Sequence, residues 1–151
     1  MIIDSTLEMC NATAVNTGGE GTYLLGSQID LSVARDIGQG KPAYLVITVD
    51  TPLASATGTI QLQLASDATA AIAVDGSASV HWASDVYLVA SGSLAAGKTW
   101  VVPLPAGTAS PYERFLGIMQ VTSVAAFTAG KINAFITFDP FGWKANADAV
   151  N

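Results

Sequence analysis

The residues best placed to suggest chemistry are Gly92-Ser93-Leu94-Ala95-Ala96-Gly97-Lys98-Thr99, a literal match to the glycine-rich loop that cradles nucleotide phosphates. That chemistry needs a parallel strand before the loop and a helix after it, so that backbone N–H groups and the helix N-terminus converge on the anion. Lys98 leads instead into Thr99-Trp100-Val101-Val102-Pro103-Leu104-Pro105. Two prolines and a β-branched, aromatic run do not build that helix. Gly-Lys recurs at Gly40-Lys41 and Gly130-Lys131, each time just ahead of an apolar run, so the pair reads as an exit from a turn into a strand. Lys98 is therefore expected at a hairpin exit between paired strands. Val46-Ile47-Thr48-Val49-Asp50 would serve as an acidic magnesium strand only as any apolar strand ending in Asp would. A nucleotide site is not expected.

His81 is the sole histidine, and Ser79 and Asp85 stand close to it. A hydrolytic triad needs a serine on a strained turn, a base within hydrogen-bond reach and oxyanion donors. Ser79 and His81 share one face of a strand, where side chains point parallel rather than converge. A metal would need companion ligands at a suitable spacing, and Cys10 is far from His81 in the chain. The carboxylates are dispersed, with no close pair in aromatic surroundings of the kind glycoside hydrolysis uses. The chain thus reads as no enzyme, with no catalytic, cofactor-binding or metal-binding residues and no cofactor. Asn11-Ala12-Thr13 matches a glycosylation sequon but reads as a polar turn, because Met1-Ile2-Ile3-Asp4 carries neither a basic region nor a long apolar run of an export signal.

Charge narrows the partners. Among 151 residues, Lys and Arg number 6 against 12 Asp and Glu, a formal net charge of −6. Arg35, Lys41, Lys98, Arg114, Lys131 and Lys144 are scattered, which argues against nucleic acid and against an anionic membrane. No apolar run is long enough for a transmembrane helix. The single Cys10 allows no internal disulfide. The hydrophobic fraction is 50% and the charged fraction 12%, about half the usual ~25%, so the surface must be carried by Thr, Ser, Asn and Gln.

The elements that would position these residues are short strands between turns. In Thr59-Ile60-Gln61-Leu62-Gln63-Leu64, apolar and polar residues alternate, the period of a half-buried antiparallel strand. Ala43 to Asp50 is almost wholly apolar and reads as a strand covered on both faces. Val86 to Ala90, Thr99 to Val102, Arg114 to Thr122 and Lys131 to Phe138 are similar, with weaker segments at Thr22 to Leu25, Ala71 to Val74 and Ser79 to Trp82. Gly38-Gln39-Gly40, Asp75-Gly76, Ala96-Gly97, Pro105-Ala106-Gly107 and Ala129-Gly130 separate them as turns. Only Leu31 to Ile37 suits a short helix. The expected fold class is all-β, a single domain over residues 1–151. Its architecture is an antiparallel two-sheet sandwich of jelly-roll type with about eight strands and at most one short helix.

The two ends differ from the middle. Residues 1–21 read as a polar arm or loop, and residues 139–151 as a tail opening with Asp-Pro-Phe-Gly-Trp. Trp100, inside an apolar strand, is expected in the core. Terminal position and aromatic or apolar character nominate Ile2, Ile3, Leu7, Met9, Trp82, Phe141 and Trp143 as protein-interface residues.

The order of these features resembles a known family. Met1-Ile2-Ile3-Asp4-Ser5, then Gly38-Gln39-Gly40-Lys41-Pro42 leading into Tyr44-Leu45-Val46-Ile47-Thr48-Val49-Asp50, open the resemblance. Leu104-Pro105, Tyr112-Glu113-Arg114-Phe115-Leu116-Gly117 and Ala129-Gly130-Lys131-Ile132-Asn133-Ala134-Phe135-Ile136-Thr137 complete it. In this layout the chain resembles the capsid cement (decoration) proteins of tailed phages, of the type on Bordetella-phage-like podoviruses. The resemblance covers most of the chain and rests on the order of short strand and turn patterns. It implies a jelly roll on the outer surface of an icosahedral head, made in the host bacterial cytoplasm and bound across capsomer junctions. The implied partners are the major capsid protein and further copies of itself, as a dimer or trimer. It carries over no catalytic residue. The competing expectation is a carbohydrate-binding or adhesin-like sandwich on a phage surface, which needs an aromatic platform beside Asn, Asp or Gln, with Trp82 and Trp143 the pair to nominate.

Overall fold

The computed structural model describes residues 5–35, 41–105 and 111–140. Nine strands appear among these residues: β1 (Glu8–Ala14), β2 (Gly21–Asp30), β3 (Tyr44–Ala54), β4 (Thr59–Asp67), β5 (Ser79–Ala83), β6 (Tyr87–Leu88), β7 (Thr99–Pro103), β8 (Phe115–Ser123) and β9 (Ala129–Thr137). Two single 3-10 turns, Ser5–Leu7 and Val89–Ser91, are the helical pieces among the described residues.

One sheet runs β1-β9-β3-β7 and the other β2-β8-β4-β5, with β6 also paired to β4. Every pairing is antiparallel. The pairs β1 with β9, β2 with β8, β3 with β7 and β4 with β5 nest inside one another, as in a long hairpin folded back along its length. Pairing of β3 with β9 and of β4 with β8 then rolls that ribbon into two facing sheets. This is the jelly roll, as the alternation and turn spacing of the sequence predict.

Side-chain alternation decides which face points inward. Leu45, Ile47 and Val49 of β3, Ile60, Leu62 and Leu64 of β4, Leu116 and Ile118 of β8 and Ile132, Ala134 and Ile136 of β9 form one continuous core between the sheets. On β3, Val46 lies opposite Phe135 on the other face, and both are buried, so the segment is covered on both sides as its apolar run predicts. Gln120 is a polar intruder with no exposed surface. Its Nε2 donates to the Asn16 carbonyl and the Thr122 hydroxyl, and its Oε1 accepts from the Asn16 N–H at 2.8 Å, so its polar atoms are satisfied.

Five expectations need correction. The arm expected over residues 1–21 contains strand β1, whose pairing with β9 is broken by two register shifts, with Ala12 at φ +45° and its N–H held by the Asn133 side chain. The sequon Asn11-Ala12-Thr13 therefore lies in a bulged edge strand rather than a turn. Ala71 to Val74 is not a strand: Asp67 accepts the N–H groups of Thr69 and Ala73, folding the segment so that Ile72 packs over the outer face of the second sheet on Gly117. Leu31 to Arg35 is bent rather than helical, with Ser32 at φ +68° and its N–H on Asp30, and the remainder of the helix predicted to Ile37 lies outside the described residues. Lys98 does not leave a hairpin between paired strands. Strand β6 pairs with β4 and β7 with β3, so the segment between them crosses from one sheet to the other, with Leu94 buried beneath it.

The ends of the sandwich are also distinct. Strand β9 finishes beside the start of β3, which lies beside the end of β7. Arg35 donates its N–H to the Tyr112 carbonyl, and the Tyr112 hydroxyl donates to the Pro105 carbonyl. The start of β1 pairs near the end of β9. Both chain termini and the long loops after β2 and β7 therefore leave from the same end.

Candidate functional site

The two sides of the sandwich are built in opposite ways. On one side β1 lies hard against β2. A Cβ added to Gly26 would collide with the Met9 carbonyl and stand 2.9 Å from Cys10 Sγ. On the other side, among the described residues, β7 pairs only with β3, while β5 and β6 pair only with β4. The free edges of the two sheets face each other across a cleft of about 420 Å³, lined chiefly by Trp82, Ser84, Asp85, Tyr87, Thr99 and Trp100.

Register explains why three rings meet there. Trp82 lies opposite Leu64, Tyr87 opposite Ile60 and Trp100 opposite Ile47, so each begins on the core side of its strand. All three pack against the core yet stay partly exposed, because among the described residues no further strand covers them. Trp100 Nε1 donates to the Tyr87 hydroxyl at 3.2 Å, and the two rings meet edge to face at 5.7 Å and 66°. Lys98 Nζ stands 5.8 Å from the Tyr87 ring and 5.7 Å from the Trp100 ring, a cation–π arrangement. The lysine of the nucleotide-loop match is thus an aromatic-capping residue, and Thr99–Pro103 behind it is a strand.

The rim is rigid. Ser84 Oγ accepts the Leu62 N–H at 3.0 Å and donates to the Asp85 carbonyl at 2.7 Å, while the Ser84 carbonyl accepts from Gln61 Nε2 at 2.9 Å. These bonds fix the turn that presents Asp85, whose exposed carboxylate makes no hydrogen bond among the described residues.

A second polar cluster lies farther along β5. Ser66 Oγ is 2.7 Å from His81 Nε2 and accepts the Glu113 N–H at 3.0 Å. Ser79 Oγ donates to Glu113 Oε1 at 2.7 Å, and the His81 ring lies 4.2 Å from that of Tyr112. Burial pushes the His81 pKa below its ordinary value, against the pull of Glu113. Ser66 has no exposed surface and its hydroxyl is engaged twice, so the cluster knits β4, β5 and the start of β8 together rather than presenting a nucleophile. The sequence set His81 beside Ser79; the structure bonds it to Ser66, the residue opposite Ser79 on β4, with His81 at the register shift of the β4–β5 pair.

Burial raises the Cys10 pKa to about 11, against the lowering hydrogen bond from Thr13. A thiol so protonated and buried is unreactive. Among the described residues no three His, Cys, Asp or Glu side chains gather as a metal site, and no helix is long and apolar enough to cross a membrane.

Of the nominated interface residues, Trp82 lines the cleft. Met9 is 2% exposed and belongs to the core, which corrects its nomination. Leu7, in the first 3-10 turn, packs half-buried on that core. Ile2, Ile3, Phe141 and Trp143 lie outside the described residues, so the nominated pairing of Trp82 with Trp143 has no described geometry. Sequence reasoning missed Tyr87 and Asp85 and assigned Trp100 wholly to the core. Only its place beside the Gly-Lys turn hinted at a rim.

A rolled antiparallel sandwich with one sealed side and an aromatic cleft on the other defines a small jelly-roll module. The model of the Bbp16 family matches residues 10–136. The chain belongs to that family, a family of Bordetella phage proteins, and the match runs from within β1 to within β9. No curated protein matches the chain.

Proposed function

We propose that this protein is a capsid decoration protein that binds the outside of a phage head across capsomer junctions and stiffens it against internal pressure. The observation that carries the reading is membership of a phage protein family through nearly the whole jelly roll. The proposed partners are the major capsid protein and further copies of this chain. The contact end is the one from which both termini depart. Val33 and Phe138, 56% and 46% exposed, stand there.

Magnitudes favour a purely mechanical role. The folded surface is 7725 Å², so one standard contact of about 800 Å² per partner engages about a tenth of it. A protein that binds only the assembled shell stabilises it by about 2.7 kcal/mol per site at a hundredfold excess over Kd. Over many symmetric sites that term accumulates without any chemical step.

The test is to add purified protein to undecorated heads, measure co-sedimentation and follow the temperature of DNA release with a fluorescent dye. Saturable binding in a fixed ratio to the shell protein and a raised release temperature are expected, both weakened by Val33→Asp. Absence of binding at saturating protein overturns the proposal.

A further inference from the structure

We propose that the cleft between β5–β6 and β7 is a binding site for a neutral saccharide unit. This is a property separate from head decoration, and nothing in it depends on a capsid.

Four observations select the ligand. The cleft, about 420 Å³, falls in the lower part of the range of about 300–1,000 Å³ typical of small-molecule sites, which suits a mono- or disaccharide. Trp82, Tyr87 and Trp100 line it and are partly exposed, a small apolar surface for the C–H groups of a sugar ring. Trp100 Nε1 is engaged with the Tyr87 oxygen, which leaves the Tyr87 O–H hydrogen and the Trp82 indole N–H to donate to sugar oxygens. The charged group of the lining is Asp85, a carboxylate acceptor on a rigid turn, whereas the Lys98 ammonium caps the Tyr87 and Trp100 rings from outside it.

The lining suits a neutral polyol. Asp85 disfavours a phosphate or nucleotide, whereas a polyol has hydroxyl hydrogens for the carboxylate, oxygens for the Tyr87 O–H and Trp82 N–H and C–H groups for the rings.

The position of the cleft permits its use on a particle. It opens sideways along the free edge of the sandwich, beside Thr99 to Val102 of β7, whereas the termini leave from the end where β7 finishes. A copy fixed by that end alone would leave this side of the sandwich in solvent.

The test is an array of neutral bacterial and simple glycans, followed by NMR titration of the full chain with each hit. Binding of at least one neutral glycan is expected, with shifts centred on the Trp82 and Trp100 indole N–H signals. Asp85→Asn, an exposed change that leaves the turn's hydrogen bonds in place, should weaken binding by about tenfold, and Trp82→Ala by at least that factor, the worth of one stacked aromatic. Val124→Thr, at an exposed site outside the cleft lining, should change nothing. The proposal is overturned if no neutral glycan binds. It is equally overturned if Asp85→Asn and Trp82→Ala bind as the parent does, or if a nucleotide or proline-rich peptide binds the cleft in place of sugars. Co-sedimentation of the same variants with undecorated heads should be unchanged, which separates a failure here from a failure of the decoration reading.

Discussion

Replacing Gly26 with alanine should unseat β1 from the sandwich. Gly26 has φ +65°, a left-handed conformation that costs a residue with a Cβ about 1–2 kcal/mol. It also occupies the closest approach between β1 and β2, where the new methyl carbon would strike the Met9 carbonyl and lie 2.9 Å from Cys10 Sγ and 3.1 Å from the Met9 carbonyl carbon. The obstacle is backbone and cannot rotate away, so overpacking adds about 1–3 kcal/mol. The sum, about 2–5 kcal/mol, is a large share of the 5–15 kcal/mol typical of a folded domain. At about 2–4 °C per kcal/mol for a chain of this size, the midpoint should fall by roughly 4–20 °C in calorimetry.

A control isolates the contact. Gly76 has φ +92° with nothing within 4 Å of an added Cβ, so Gly76→Ala bears strain alone and should lose about 1–2 kcal/mol. The second readout is Cys10, only 1% exposed with a pKa raised to about 11. Its reaction with a thiol reagent should accelerate in Gly26→Ala and not in Gly76→Ala. If the two variants melt together and Cys10 stays equally protected in both, the sealed seam does not hold β1 as argued.

The polar cluster and the loop over the second sheet each give a further test. Because burial depresses the His81 pKa in the folded state, the unfolded chain takes up the proton first. The stability linked to neutral His81 is complete above its ordinary 6.5 and is lost as pH falls below 6.5 through the depressed value. Urea midpoints should therefore decline over that window, and less steeply in His81→Gln; an identical slope in the variant refutes the assignment. Ile72→Ala should lower stability by about 2–5 kcal/mol and open residues 68–78 to proteolysis, since Ile72 is 3% exposed and rests on Gly117. An unchanged midpoint and cleavage pattern would show that the loop is not held by that contact.

What could be read from the chain depended on whether one strand's own pattern decided the outcome. The alternation of Ile60, Leu62 and Leu64 and the continuous run of β3 fix strands whatever their partners, and both stand where they are expected. Ala71 to Val74 carries the same local signal but is captured by the Asp67 side chain, so hydrogen bonds to one carboxylate outweigh a short apolar run. Strand β1 was illegible because its bulges break the period of two, and its pairing depends on Asn133, far along the chain. The cleft was illegible for a similar reason. Trp82, Tyr87 and Trp100 converge only because β5 and β6 pair with β4 while β7 pairs with β3, and no spacing within a segment encodes that.

The two unlike sides of the sandwich arise from the order of the strands. Strands β1 and β2 are consecutive in sequence, so a short connection draws their edges together across the sheets, and the contact can close only where a residue lacks a side chain, as at Gly26. On the opposite side the chain passes from β6 to β7 through ten residues, Val89 to Lys98, that cross at one end of the sandwich and leave the facing edges apart. Facing sheets stand about 10 Å apart, a gap too wide for main-chain pairing and suited to large rings. The chain meets that gap with Trp82, Tyr87 and Trp100, which cover the core from the side while keeping one surface in water. Glycine at the seam and aromatics at the gap are thus two answers to one geometric problem, and the second leaves a concave surface that the first cannot.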